Sequence, residues 1–325
     1  MTVLASARYP YERVLLPRTN LAYIHLRNLL TDAKRDRGAR VFGYVAIWLP
    51  EEFLLLYLQE GELVNATLNN GRERFAIPIV EALSRVPASP EYGEICFHEA
   101  DDEQLACMYQ SHVERPASWP HELKAHNAEA LFPYLAATTF DGVVEIIVDG
   151  KVNYLVFRNG SVERAFLTGD QEGTVIQRVE RLFAADVKSG YRIVQRWDVP
   201  PALPVQAPPS LVKAYRDLAS SLVSDLVAKG KDSAPAIAEH ARQHLLTKHP
   251  ALNAFSFNGR PHRDTVADSA TLTSAISALV TEIIWASADH EVVKPEDVIR
   301  DLTHERRHMF QSAGFYERLP WKVVW

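Results

Sequence analysis

The chain has 325 residues, 47% hydrophobic and 23% charged, a composition that supports folded globular structure with material for more than one core. A net charge of −6 and a pI near 6.1 give no electrostatic footprint for nucleic acid. Cys96 and Cys107 are too few for a disulfide framework or a four-cysteine zinc site, and read as reduced thiols of a cytoplasmic protein.

The first twenty residues, MTVLASARYPYERVLLPRTN, lack the apolar core and small-residue cleavage site of a secretory signal. No run reaches the roughly 20 apolar residues of a membrane span. Residues 1–18 read as an irregular lead-in, pinned by Tyr9, Tyr11 and the Val14-Leu15-Leu16 run. A helix is predicted over Asn20–Ala33, from the spacing of Leu26, Leu29, Leu30 and Ala33, with Thr19 or Asn20 as its cap. The basic stretch Lys34–Arg40 reads as a solvated helix end and loop.

Three β-rich runs follow between Val41 and Leu68, with turns at Leu49-Pro50-Glu51-Glu52 and Gln59-Glu60-Gly61. They predict an antiparallel meander. A helix over Ile77–Arg85 and a strand over Tyr92–His98 come next. The acidic run Glu99–Glu103 does not have the spacing of a calcium loop and reads as a loop or helix start. Val113–His121, with Pro116 and Pro120, reads as a join. A helix is predicted over Asn127–Ala137.

From Phe140 to Leu167 the meander returns. Gly142 lies 99 residues after Gly43, and without a gap Gly43, Val45, Ile47, Leu56, Gly61, Ala66 and Leu68 meet identical residues in the later stretch. Seven identities in 28 positions exceed the roughly 2 that average residue usage gives. Asp149-Gly150 and Asn159-Gly160 are hairpin turns of the kind that needs positive φ at both central residues. The repeated alanine is small enough for a helix to approach. A helix over Thr174–Ala185 and a strand over Tyr191–Trp197 complete the second copy. The predicted fold is therefore α+β: two tandem repeats, each a helix, a three-stranded antiparallel meander, a helix and a strand.

Gly43, Gly61 and Ala66, with Gly142, Gly160 and Ala165, carry a resemblance to the PATAN-type domain, a relative of a bacterial domain of unknown function often fused to response-regulator receivers. The likeness covers about two thirds of the chain's 325 residues. It implies a cytoplasmic signalling or scaffold protein without catalytic residues or cofactor, which contacts a protein partner such as a two-component or GTPase signalling component, or a second copy of itself. The expected domains are residues 1–115 and 116–198 for the two units, a linker at 199–209, and a helical domain at 210–325.

The linker, VPPALPVQAPP, has five prolines in eleven residues and should be stiff and extended. Beyond it an all-α bundle is predicted: Leu211–Ala228, a helix from Ser233 or Ala234 to about Lys248, the apolar Ser269–Ser287, and a last helix from Pro295 to near Gly314. The tail GFYERLPWKVVW should pack back onto the bundle. His304-Glu305-Arg306-Arg307-His308 spells H-E-x-x-H on that last helix, and a zinc-dependent hydrolase is the alternative function. Two arginines between the ligands, no downstream G-x-x-H and a short remaining chain argue for an ordinary polar helix face, supported by pairs such as Glu296 with Arg300. The same reading applies to His240, His244 and His249. Phe257–Arg263 is a basic loop suited to an anion or acidic partner, and more simply a solvated turn.

Overall fold

The computed structural model describes residues 7–35, 41–87, 91–169, 172–184, 192–257, 266–287 and 294–325. Residues 36–40 of the basic stretch 34–40 and most of the 257–263 loop lie outside them. The protein is α+β, with two antiparallel sheets and a separate set of helices. It divides into two compact units: residues 1–77 with 82–204, and residues 78–81 with 205–325.

In the first unit, strands β1 (Arg13–Asn20), β2 (Gly43–Trp48), β3 (Phe53–Gln59), β4 (Glu62–Asn69), β5 (Arg74–Ala76) and β6 (Glu94–Glu99) form one sheet in the order β1-β6-β2-β3-β4-β5. Strands β7 (Gly142–Val148), β8 (Lys151–Arg158), β9 (Ser161–Phe166) and β10 (Arg192–Trp197) form the other in the order β10-β7-β8-β9. Helices α1 (Leu26–Arg35), α3 (Asp102–Val113), α4 (Ala128–Ala137) and α5 (Val175–Ala184) accompany them, with residues 82–85 of α2 (Ile79–Arg85). Asn20 caps a short 3-10 turn at Leu21–Tyr23, and Asn127 caps α4.

The two meanders pair in one register. Leu56 faces Ala66 as Leu155 faces Ala165, and Trp48 faces Phe53 as Ile147 faces Val152. The fourth strand keeps step too: Tyr44 faces His98 as Val143 faces Trp197. Both last meander strands carry one extra residue at the same place, beside Tyr57/Leu58 and Val156/Phe157.

The recurring glycines have recurring causes. A Cβ on Gly43 would stand 2.2 Å from the His98 carbonyl oxygen, and a Cβ on Gly142 2.2 Å from that of Trp197. Both distances are far inside van der Waals contact, so the flanking strand closes on the sheet only where the side chain is missing. Gly61 and Gly160 sit at φ 76° and 75° after Glu60 and Asn159 at 50° and 49°, the paired positive φ of a tight hairpin turn. Their amides donate to the Val41 and Phe140 carbonyls at 2.8 and 2.9 Å. Gly160 also lies against α4, where a Cβ would come within 2.7 Å of Ala136 Cα.

The outer faces carry separate cores. Val45, Ile47, Leu54 and Leu56 pack with Leu26 and Ala82 on the first sheet; Val144, Ile146, Leu155 and Phe157 pack with Leu131 and Leu135 on the second. The inner faces share a core: Tyr44, Phe53 and Leu55 from one sheet, Val143, Tyr154 and Val156 from the other, and Leu105 and Met108 of α3. Residues 1–115 and 116–198 thus fold into one unit, and Leu203 of the proline-rich stretch is buried in its inner core. The lead-in is likewise not irregular: β1 pairs with β6, and Tyr9 is buried.

The second unit contains α6 (Pro209–Ala228), α7 (Ala234–Leu245), α8 (Ser269–Ser287), α9 (Pro295–Thr303) and α10 (Arg307–Ser312). Leu218, Leu222, Ile276, Leu279, Ile283 and Phe310 are core residues there. α8 is long and apolar enough to cross a membrane, yet its Leu272, Ile276, Leu279, Val280 and Ile283 are fully buried within this unit. The tail packs on the bundle: Phe315 is buried, and Trp321 lies edge-on to Trp285 at 6.1 Å. The single last helix expected from Pro295 is broken by a 3-10 turn at His304–Arg306. Arg300 pairs with Asp297 at 2.8 Å and Asp301 at 3.6 Å, not with the Glu296 that the i,i+4 spacing suggested.

Gly43→Ala and Gly142→Ala are each expected to cost on the order of 3 kcal/mol in urea unfolding of the first unit, through backbone collision. Gly169→Ala, where a Cβ would meet nothing closer than Lys151 Nζ at 3.7 Å, should cost about 1 kcal/mol from its positive φ alone. Equal losses at the three positions would contradict the close-approach explanation.

Candidate functional site

Three features of the first unit carry chemistry. The first is a slot beside β9. Its volume is about 870 Å³, and its walls include Val162, Ala165 and Phe166 of β9, Val175 and Ile176 of α5, and Phe132 of α4. Ile176 is 70% exposed and Val175 47%. On the first sheet the equivalent space holds a strand: β5 pairs with Thr67–Asn69 of β4, and the Ile77 amide donates to the Ala66 carbonyl at 3.0 Å. The Ala66 backbone therefore points away from β3. Ala165 occupies the same register and points away from β8, but among the described residues no backbone group meets it. Leu167, two residues on, also faces outward, and Arg178 of α5 donates to its carbonyl at 3.1 Å.

The opposite edge of that sheet is closed. The Ala117 amide donates to the Arg196 carbonyl at 2.8 Å, and Trp119 Nε1 to the Val194 carbonyl at 2.9 Å. On the first sheet, β1 has Pro17 and two register shifts, devices that discourage strand addition. The acid run at the start of α3 is used internally. Asp101 caps the helix by accepting from the Glu103 amide, and Arg164 of β9 binds Asp101 Oδ2 at 2.8 Å and Glu103 Oε2 at 3.0 Å. Burial opposes ionisation of Asp101, but these donors hold its pKa below the usual carboxylate range.

The second feature is a polar seam in the shared inner core. His112 Nδ1 lies 2.8 Å from the Met108 carbonyl, so it carries the proton and donates; Nε2 then accepts from the Tyr9 hydroxyl at 3.1 Å. Burial pushes the His112 pKa down to about 3, aided by the Arg74 charge, and the ring is neutral. The Ser111 and Tyr154 hydroxyls lie 3.0 Å apart beside Glu145. Glu145 itself is 0% exposed, and neither carboxylate oxygen has a well-formed hydrogen bond. Arg74 Nη1 approaches to 4.0 Å, a Coulombic contact rather than a hydrogen bond. Burial raises the Glu145 pKa, and Arg74 and the two hydroxyls offset part of that.

The third feature is a cavity of about 410 Å³ walled by Tyr9, Tyr11, Tyr44, Trp48 and His98, with Arg8 and Lys151 at its rim.

The residues singled out by sequence divide clearly. Gly43, Gly61, Ala66, Gly142, Gly160 and Ala165 are structural, as described above, and Ala165 additionally lines the slot. His304, Glu305 and His308 are exposed, with His304 in the 3-10 turn and His308 in α10, so the two histidines do not share one continuous α-helix. No group of three or more His, Cys, Asp or Glu side chains suited to a metal ion occurs among the described residues. His244 lies 3.5 Å from Glu282, and His240 borders a small surface groove with the same glutamate. Glu145 and Arg74 were not singled out, although Glu145 is the sole charge in Val143–Val148. Alternation in that strand places Glu145 on the same face as Val143, which is the signal that could have found it.

No family model, curated protein or solved structure matches the chain.

Glu145→Gln tests the seam. A carboxyl whose folded pKa is raised above its unfolded value loses stabilisation as pH rises through that interval. The denaturation midpoint of the variant relative to wild type should therefore climb as pH rises above the ordinary glutamate range of about 4, since glutamine does not titrate. A difference independent of pH would mean that Glu145 is not held against ionisation.

Proposed function

We propose that the chain is a non-catalytic adaptor, built on two PATAN-like copies of one sheet-and-helix unit, that binds an extended segment of a partner protein along β9. The common pairing register and the recurring glycine contacts support the duplication. The observation that carries the function is the outward-facing Ala165 backbone in an apolar slot, at the place where the other copy seats its own β5. Strand addition supplies main-chain hydrogen bonds, and alternate side chains of the segment enter the slot.

The slot also indicates the chemistry of its occupant. Glu12 and Glu180 line it, with Glu163 already paired with Arg158 at 3.1 Å, while Arg164 is engaged by Asp101 and Glu103 and Arg178 by the Leu167 carbonyl. The fitting segment is apolar at alternate positions, for Val162, Phe166, Val175 and Ile176, and carries lysine or arginine between them. A signalling component of the receiver, kinase or GTPase type is the partner class that the PATAN resemblance implies. The helical unit offers a second contact surface or a dimer face.

Ala165→Pro removes the outward amide at an edge position where proline is tolerated. Recovery of a defined partner by the full-length chain, lost at least tenfold in Ala165→Pro with an unchanged far-UV spectrum, is the expected result. Retention of that partner by the variant overturns the proposal. So does a self-association that Ala165→Pro abolishes, because the occupant would then be a second copy of this chain.

A further inference from the structure

The 410 Å³ cavity is apart from the β9 slot in its chemistry and in most of its walls. Its interior is aromatic. Tyr11 lies over His98 with ring centres 4.4 Å apart, and Tyr44 meets His98 edge-on at 5.3 Å. Arg18 covers the Trp48 ring at 4.0 Å and is neutralised by Glu94, to which its Nε donates at 2.8 Å.

His98 is neutral at physiological pH, since burial pushes its pKa down to about 4. Its tautomer follows from its neighbours. The Tyr44 hydroxyl has one proton and lies 3.0 Å from the Pro10 carbonyl, 3.2 Å from the Tyr9 carbonyl and 2.9 Å from His98 Nδ1. A proton on Nδ1 satisfies the two shorter contacts: His98 donates to Tyr44, and Tyr44 donates to Pro10. That leaves Nε2 as an acceptor beside the Tyr11 and Tyr44 rings.

The rim is cationic in an unfavourable way. Arg8 and Lys151 are partners in a parallel bridge, closed by Arg8 N to the Gly150 carbonyl at 2.9 Å and Val152 N to the Arg8 carbonyl at 2.8 Å. Bridge partners project to the same face, where like charges repel. Neither side chain has a carboxylate partner among the described residues. An anion held between them would remove the repulsion, whereas a cationic ligand would add to it.

We infer that this cavity binds a planar heteroaromatic anion of nucleoside monophosphate size. The ring enters between the aromatic walls and donates an N–H to His98 Nε2; the phosphate lies between Arg8 and Lys151. The volume is within the range of small-molecule sites.

Calorimetric titration of the full-length chain with AMP, adenosine and inorganic phosphate tests the assignment. AMP should bind at least tenfold more tightly than either fragment. The double variant Arg8→Ala/Lys151→Ala should weaken AMP at least tenfold and leave adenosine unchanged; both side chains are exposed, so folding is preserved. Ala165→Pro should bind AMP as wild type does, which separates this site from the β9 slot. The inference is overturned if AMP does not bind, if the double variant binds it equally well, or if inorganic phosphate binds as tightly as AMP.

Discussion

A sheet edge leaves backbone donors and acceptors without partners, and every edge must be paired, covered or defended. That requirement organises the first unit. The first sheet adds β5 on one side and the irregular, proline-bearing β1 on the other. The second sheet closes β10 with Ala117 and Trp119. β9 is treated differently: charged side chains and a bulge protect part of it, and Arg178 answers one carbonyl, but Ala165 faces an apolar slot. The same register that gives the Ala66 carbonyl a backbone partner leaves Ala165 without one among the described residues.

The two meanders share a frame and differ in what they place on their inner faces. Ala46 and Glu145 hold corresponding positions, one small and apolar, the other a buried acid. The acid is tolerated because Arg74, on β5 of the first sheet, reaches across the shared core. A buried pair of this kind adds little stability, and removing one partner exposes the cost of the other. The seam of Tyr9, His112, Ser111, Tyr154 and Glu145 is thus a constraint on how the two sheets face each other. Tyr9 belongs both to this seam and to the wall of the aromatic cavity.

Much of this frame was legible in the sequence because its causes are local. Asn159-Gly160 and Asp149-Gly150 specify tight turns, β-branched runs specify strands, and Pro295 with Glu296 and Asp297 specifies a helix start. What escaped depends on tertiary contact. Helix α3 has no apolar stripe, because Gln104, Ser111 and His112 point into the core beside Leu105 and Met108. β5 has three residues and exists only through its pairing with β4. β1 carries Pro17 and reads as irregular until β6 lies beside it. The slot could not be read at all, since an open edge is defined by a strand that does not arrive. The H-E-x-x-H string is the reverse case: a legible pattern whose residues the backbone separates into two helical segments.

Residue-resolved amide hydrogen exchange of the free, full-length chain tests the central claim most directly, by comparing Ala66 with Ala165. The Ala66 amide donates to Asn65 Oδ1 at 2.8 Å, whereas the Ala165 amide has no such partner among the described residues. The account predicts slow exchange at Ala66 and exchange at Ala165 faster by at least a hundredfold, the equivalent of about 2.7 kcal/mol of local protection. Equal protection at the two alanines would show that the β9 edge is already filled by the chain itself, and would contradict the account.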